Sequence, residues 1–248
     1  MPRFFLQRKN ISDGIVTIQG DDARHISRSL RMRPGEHITV CDMQKRVYDC
    51  VLEEFTPDTV RAKVVAESES ETEPPVFIKL YQALPKSDKL DTIIQKAVES
   101  GASEIIPFES ERCVVRIEPS KEDKKLERRS RIALEAAKQC GRGIIPAVRA
   151  PLTFDKILSD ADDCQLKLFF YEGDGTVSLR EVLEEIPSGV LPEKVAAVIG
   201  SEGGFSLAEV ERARKAGFVI CGLGKRILRC ETAPLCALSA VMYAAGEF

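Results

Sequence analysis

Two histidines, His25 and His37, and no C-x-x-C pair leave this 248-residue chain without the ligand spacing that a zinc site needs, and no metal is expected. Its eight cysteines (41, 50, 113, 140, 164, 221, 230 and 236) are scattered. The opening Met-Pro-Arg-Phe-Phe-Leu has no long apolar region of a signal peptide, so the thiols read as free cysteines in a reducing cytoplasm. No apolar run approaches the length of a membrane span. There is no G-x-x-x-x-G-K-[ST] phosphate loop. Gly222-x-Gly224 continues to Ile227 where a dinucleotide-binding turn has Gly or Ala, and no acidic residue follows at the expected distance. A hydride-transfer cofactor and an ATP phosphate cradle are both disfavoured. A net charge of −3 does not advertise nucleic-acid binding either.

The distribution of charge says more than its sum. Residues 67–75 carry four Glu and no base, and residues 150–194 carry ten acids against four bases. Bases gather elsewhere: Arg24, Arg28, Arg31 and Arg33, then residues 121–142, then Lys225, Arg226 and Arg229. A chain that is acidic in total can still present a basic face.

Residues 2–66 are expected to be mostly β, with short β-branched or aromatic runs at 3–6, 15–18, 37–41, 47–52 and 60–65. One helix, 21–32, interrupts them, with Ile26 and Leu30 on its apolar side and His25, Arg28 and Arg31 at i+3 and i+4 intervals. Several strands and one helix suggest a small barrel. The acidic stretch 67–75 ends in Pro74-Pro75 and reads as an extended, solvated linker. Beyond it strands and helices alternate: strands at 76–84, 105–108, 113–115, 144–148, 166–171, 195–199 and 219–223, and helices at 88–100, 121–139, 178–186, 207–216 and 232–245. That alternation implies an α/β domain with a mainly parallel sheet. The domains are expected at 1–70 and 76–248.

The chain is organised around two loops. Gly200-Ser201-Glu202-Gly203-Gly204-Phe205-Ser206 follows one buried-type strand, and Leu223-Gly224-Lys225-Arg226-Ile227-Leu228-Arg229-Cys230-Glu231-Thr232-Ala233 follows another. Ser206 and Glu209 have the spacing of a capping box. In open α/β sheets ligands bind beyond the carboxyl ends of the strands, where both loops sit.

G-S-E-G-G-F-S-x-x-E at 200–209, followed by L-G-K-R-I-L-R-C-E-T-A at 223–233, resembles the RsmE family of ribosomal RNA methyltransferases, members of the SPOUT superfamily. His25 to Met32, Ile94 to Gly101, Ser110 to Cys113 and Glu135 to Arg142 match that family's motifs in order, so the similarity spans nearly the whole chain. Ser201 stands where the family usually has proline, and Pro234 after Glu-Thr-Ala is unusual. The resemblance implies an N-terminal PUA-like RNA-binding barrel and a C-terminal SPOUT domain with a trefoil knot. It also implies S-adenosylmethionine as cofactor, N3 of a uridine in 16S ribosomal RNA as acceptor, and a homodimer in the cytoplasm.

On that reading the cofactor residues are Tyr171, Glu172, Gly200, Glu202, Gly203, Gly204, Leu223, Gly224, Ile227, Leu228 and Thr232. The apolar ones form a slot for adenosine, and peptide groups supply hydrogen bonds. Uridine N3 is protonated at neutral pH, so something must take its proton or stabilise the anion. Glu202 and Glu231 are candidate bases, and Arg226 and Arg229 candidate anion stabilisers. Each has a plainer reading: Glu231 as a helix-cap partner of Thr232, the arginines as phosphate contacts or dimer ion pairs. Arg24, His25, Arg28, Arg31, Arg142 and Arg226 are the expected RNA contacts. Two alternatives stay open: another acceptor (a ribose 2′-oxygen or a tRNA base), and a non-catalytic RNA-binding factor.

Overall fold

A computed structural model describes residues 1–186 and 192–248. The chain forms two units, residues 1–73 with 137–145, and residues 74–136 with 146–248. Residues 137–145, which the sequence placed in the second domain, pack into the first unit.

The first unit holds β1 (Arg3–Phe5), β2 (Ile11–Ser12), β3 (Ile15–Gln19), α1 (Gly20–Arg24), β4 (His37–Cys41), β5 (Arg46–Phe55) and β6 (Thr59–Glu69). Their sheet order is β1-β4-β5-β6-β3-β2, antiparallel except where β1 runs alongside β4, with β1 and β2 at its two ends. Alternation along β5 buries Tyr48, Cys50 and Leu52 on one face. Phe4, Ile18, Ile26, Ile38 and Val60 complete the core. Asp42 Oδ1 sets the β4–β5 turn by accepting the N–H groups of Gln44 and Arg46 at 2.8 and 3.1 Å.

The expected helix 21–32 is shorter and broken. After α1 the backbone widens into a π-turn over His25–Ser29, and Arg31 sits at φ 53°. Ser27 Oγ donates back to the Ala23 carbonyl at 2.8 Å, a competitor for the helical ladder. Ile26 is buried, whereas Leu30, expected beside it, is exposed.

The acidic stretch is not a solvated linker. β6 runs through Glu69 in register with Arg46, and Arg46 pairs with Glu67. The Glu73 side chain is enclosed: it accepts the guanidinium of Arg142 at 2.8 Å and the N–H groups of Gly143 and Ile144 at 2.8 and 3.0 Å. Lys138, on the same segment, lies 5.6 Å over the Phe4 ring. These contacts give residues 137–145 their place in this unit. Removing one partner of a buried pair strands the other, so Glu73→Ala is expected to cost about 3–5 kcal/mol, read as a lower urea midpoint. An unchanged midpoint would show that the pair does not hold the segment.

The second unit is built on a parallel sheet. Its elements are β7 (Phe77–Ala83), α2 (Lys89–Glu99), β8 (Glu104–Glu109), α3 (Pro119–Cys140, whose last turn belongs to the first unit), β9 (Ala147–Val148) and β10 (Leu152–Thr153). There follow α4 (Phe154–Asp160), β11 (Leu166–Phe170), β12 (Val177–Ser178), α5 (Leu179–Glu184), β13 (Lys194–Ile199), α6 (Leu207–Lys215), β14 (Val219–Gly222) and α7 (Ala233–Ala244). The order is β10-β8-β7-β13-β11-β14-β12, with β9 also on β8. β7 and β13 are buried along almost their whole length, as strands covered on both faces are. After β14, outside β11, the chain returns so that α7 packs on β13 and α2.

Two readings are corrected here, and one helix is added. Residues 113–115 are not a strand, because residues 110–117 are held by side chains instead: Ile117 N–H donates to Glu109 at 2.8 Å and Arg116 pairs with the same carboxylate at 2.9 Å. Of the expected strand 144–148 only Ala147–Val148 pairs. Helix α4 was not foreseen; its seven residues are too few for a periodicity to show. Among the described residues no helix is long and apolar enough to cross a membrane.

Candidate active site

β13, β11 and β14 are neighbours, and the two glycine-rich loops leave the carboxyl ends of the outer two. The first loop is pinned from below by Phe205. Its ring is fully buried, 4.2 Å from that of Phe169 and nearly parallel to that of Phe108 at 6.3 Å. Gln82 Nε2 donates to the Gly200 carbonyl at 3.1 Å. The capping box closes as expected: Ser206 N–H donates to Glu209 at 3.0 Å and Glu209 N–H to Ser206 Oγ at 3.2 Å. Buried Glu209 also accepts Glu111 N–H at 2.8 Å, which ties residues 110–113 to the loop. Gly204 has φ +60°, and a Cβ there would lie 2.2 Å from Glu172 Oε1. A Cβ on Gly203 would lie 3.0 and 3.1 Å from Cβ and the carbonyl of Arg112.

Between the loops lies a cleft of about 480 Å³, within the size range of small-molecule sites. Ile199, Phe170, Leu223 and Leu228 make its apolar surface, and Tyr171 and Glu172 enter from the end of β11. Ser201 lines it with a buried hydroxyl that has no hydrogen-bond partner among the described residues. Apolar walls, loop peptide groups and one unspent hydroxyl fit a neutral heterocycle with a few polar edges, which is what an adenosine moiety presents.

At one wall stands a charged tie. Lys89 Nζ lies 3.0 Å from Glu202 and 3.2 Å from Glu231, so one ammonium from the first turn of α2 meets a carboxylate from each loop. Its hydrogen bonds to Glu202 and Glu231 raise the Lys89 pKa above the usual lysine value. Burial alone would raise the Glu202 carboxyl. Hydrogen bonds from its own N–H, from Lys89 and from Lys86 N–H outweigh that and hold it below the usual range. Glu231 is lowered as well, chiefly by its own backbone N–H. For the two acids, the stability gained is present above about pH 4.3 and lost as pH falls through the lowered values. For Lys89 it is present below about pH 10.4 and lost as pH rises through the raised one. The tie therefore stands across the neutral range, with both carboxylates ionised and weakened as bases.

The structure brings most of the expected cofactor set into this cleft: Tyr171, Glu172, Gly200, Glu202 and Gly204 from the strand end and first loop, and Leu223, Gly224, Ile227 and Leu228 from the second. Gly203, Glu231 and Thr232 are not among its lining. Gly203 backs onto Arg112, whose guanidinium donates to the Gly203 carbonyl at 3.2 Å. Thr232 occupies the N-cap of α7 without a side-chain cap bond, so a cap does not account for Glu231; Lys89 does. Arg226 and Arg229 reach solvent at the cleft, Arg229 82% exposed with Nη1 4.0 Å from Glu231. In the first unit Arg24, His25, Arg28 and Arg31 are all exposed. Arg142 is the correction: expected to touch RNA, it is buried against Glu73. Lys89 and Ser201 were missed as site residues. A single lysine opening an amphipathic helix carries no local signal, and Ser201 was read only as a departure from proline.

The geometry has close counterparts. The RNA methyltransferase domain family matches residues 72–242 and the RNA methyltransferase PUA domain family residues 18–65. The ribosomal RNA small subunit methyltransferase E of Bacillus subtilis is 36% identical over 98% of this chain and 96% of its own length. That of Mesomycoplasma hyopneumoniae is 32% identical over 96% and 98%. The crystal structure of the Neisseria gonorrhoeae enzyme of the same name, bound to S-adenosyl methionine, superposes with a TM-score of 0.86 at 33% identity, covering 98% of this chain and 97% of that one. With both domains matched and the likeness running from end to end, this chain belongs to the ribosomal RNA small subunit methyltransferase E family.

Proposed function

We propose that the cleft binds S-adenosylmethionine and that the protein methylates N3 of a uridine in 16S ribosomal RNA, in the cytoplasm. The observation that carries this is the cleft itself, formed by the two family loops at the carboxyl ends of two strands of one parallel sheet. The relatives' shared name supplies the RNA, and the Neisseria structure the cofactor. Bound there, the cofactor supplies an electrophilic methyl group on a sulfonium.

The chain's own task is to seat the uracil in line and manage the charge that appears as N3 loses its proton. Glu202 and Glu231, first candidates as base, are tied to Lys89 and weakened as proton acceptors. We therefore give charge stabilisation to Arg229, with Arg226 beside it. Arg24, His25, Arg28 and Arg31 of the first unit and Arg226 of the second are the proposed RNA contacts.

Homodimerisation is part of the proposal. α5 and α7 leave an open cleft whose apolar lining includes Leu179, Leu183 and Ala240, with Tyr243 and Phe248 exposed beside it. A second copy would cover it. Light scattering at micromolar concentration is expected to give a mass near twice 27.5 kDa; a monomer removes the dimer from the proposal.

The deciding experiment incubates the protein with labelled S-adenosylmethionine and unmethylated small ribosomal subunits, then identifies the labelled nucleoside by mass. 3-Methyluridine is expected. A 2′-O-methylated nucleoside, or label only in tRNA, would move the acceptor. No transfer despite cofactor binding would leave a binding factor.

A further inference from the structure

We propose that Lys89 is a positioning residue of the cofactor cleft, the single cation that draws Glu202 of the first loop and Glu231 of the second to one point and so sets the distance between the loops. The inference rests on the cleft being the S-adenosylmethionine site, but no relative's name assigns Lys89 to it.

The geometry is specific. Glu202 and Glu231 are 29 residues apart in sequence, and their loops leave strands that are not adjacent, because β11 lies between β13 and β14. Across the cleft mouth both reach the same ammonium, Glu202 at 3.0 Å and Glu231 at 3.2 Å. Two carboxylates that close to one nitrogen are within about 6 Å of each other, a spacing at which like charges resist joint ionisation. Lysine, with three donors on one compact centre, can serve both.

Among the described residues, the other charged or titratable groups against the tie lie on the same three elements. From the approach to α2, Lys86 lends only its backbone N–H, to Glu202 at 3.2 Å. From the second loop, Arg229 Nη1 stands 4.0 Å from Glu231, and Cys230 Sγ donates to Glu231 at 3.3 Å while lying 3.9 Å from Lys89. Arg229 is largely exposed and too far to replace the ammonium, and the thiol is buried. Without Lys89 the carboxylate pair is unbalanced, and the loops part to separate the charges.

The test is titration calorimetry of the full chain with S-adenosylhomocysteine, whose missing sulfonium charge keeps direct attraction to the carboxylates out of the measurement. The wild-type chain is expected to bind with little change between pH 5.5 and 8. Lys89→Met is expected to bind about tenfold more weakly at pH 8, since the unpaired carboxylates repel. Binding should recover toward wild type at pH 5.5, because bringing the two carboxylates together without an ammonium raises one carboxyl pKa, and protonation relieves the repulsion. Glu231→Gln added to Lys89→Met should restore binding at pH 8. Lys89→Arg, which keeps the charge, should stay close to wild type and serves if Lys89→Met does not fold.

Lys89→Met that binds as wild type at every pH overturns the proposal. So does a loss that is the same at every pH and unrelieved by Glu231→Gln, which marks mere packing, or a loss in Lys89→Arg as large as in Lys89→Met. A wild-type chain that binds no S-adenosylhomocysteine removes the cofactor reading first, and this inference with it.

Discussion

Arg229→Ala is expected to bind cofactor as the wild type does and to methylate about 10²–10³-fold more slowly. The side chain is exposed at the cleft, and its sole described side-chain partner is Glu231 at 4.0 Å. Its structural work is done by the backbone: the Arg229 carbonyl accepts the N–H groups of Thr232 at 2.8 Å and Ala233 at 2.9 Å, which starts α7. Alanine keeps both bonds, so the second loop and its apolar lining are left in place. What is lost is a fixed positive charge where the uracil anion would develop. Such a charge acts mainly on the transition state, so the fall should appear in kcat with cofactor affinity unmoved. Arg229→Lys keeps the charge without the planar fork and should fall between the two. Turnover equal to wild type in Arg229→Ala would transfer the role to Arg226 or to a backbone donor.

Phe205→Ala is expected to cost about 3–5 kcal/mol of stability. The ring is fully buried among Phe169, Phe108 and Phe154, with centroids 4.2, 6.3 and 6.3 Å away. Deleting it leaves a cavity in a cluster whose members come from β8, α4 and β11 and cannot collapse independently. The same ring is the anchor of the first loop, and it lies against Gly200, where a Cβ would sit 3.2 Å from it. Cofactor binding should therefore weaken together with the urea midpoint. Leu207→Ala, two residues on and 70% exposed, is the contrasting control and should change neither much. A Phe205→Ala protein of wild-type stability would show that the loop is held by its hydrogen bonds alone.

Much of the second unit could be read before folding. β7, β8, β11, β13 and β14 lie where apolar runs stood, and both loops follow them. The box of Ser206 and Glu209 formed because its signal is local, two residues three apart that satisfy each other's N–H groups. The places where reading failed share a cause. Glu73 looked solvated because its partner, Arg142, is 69 residues away. Arg142 looked like an RNA contact because nothing nearby in sequence reveals a buried carboxylate. Residues 113–115 are apolar enough for a strand, yet their neighbours are held by Glu109 and the first loop. The π-turn at His25–Ser29, where Ser27 Oγ bonds the Ala23 carbonyl, is a local widening that periodicity does not register.

The sequence by itself determined the kind of protein: an α/β domain preceded by a β-rich one, two loops of defined residues, and the family they mark. Those are properties of spacing and side-chain type over ten or twenty residues, where each signal is complete in its own neighbourhood. Tertiary structure alone decided the order β8-β7-β13-β11-β14, and with it which residues share a cleft. It also decided the electrical state of that cleft. Glu202 and Glu231 were candidate bases as isolated letters. Beside Lys89 they are ionised partners of one ammonium, because a carboxylate's basicity depends on the charge a few ångströms away and not on its place in the chain.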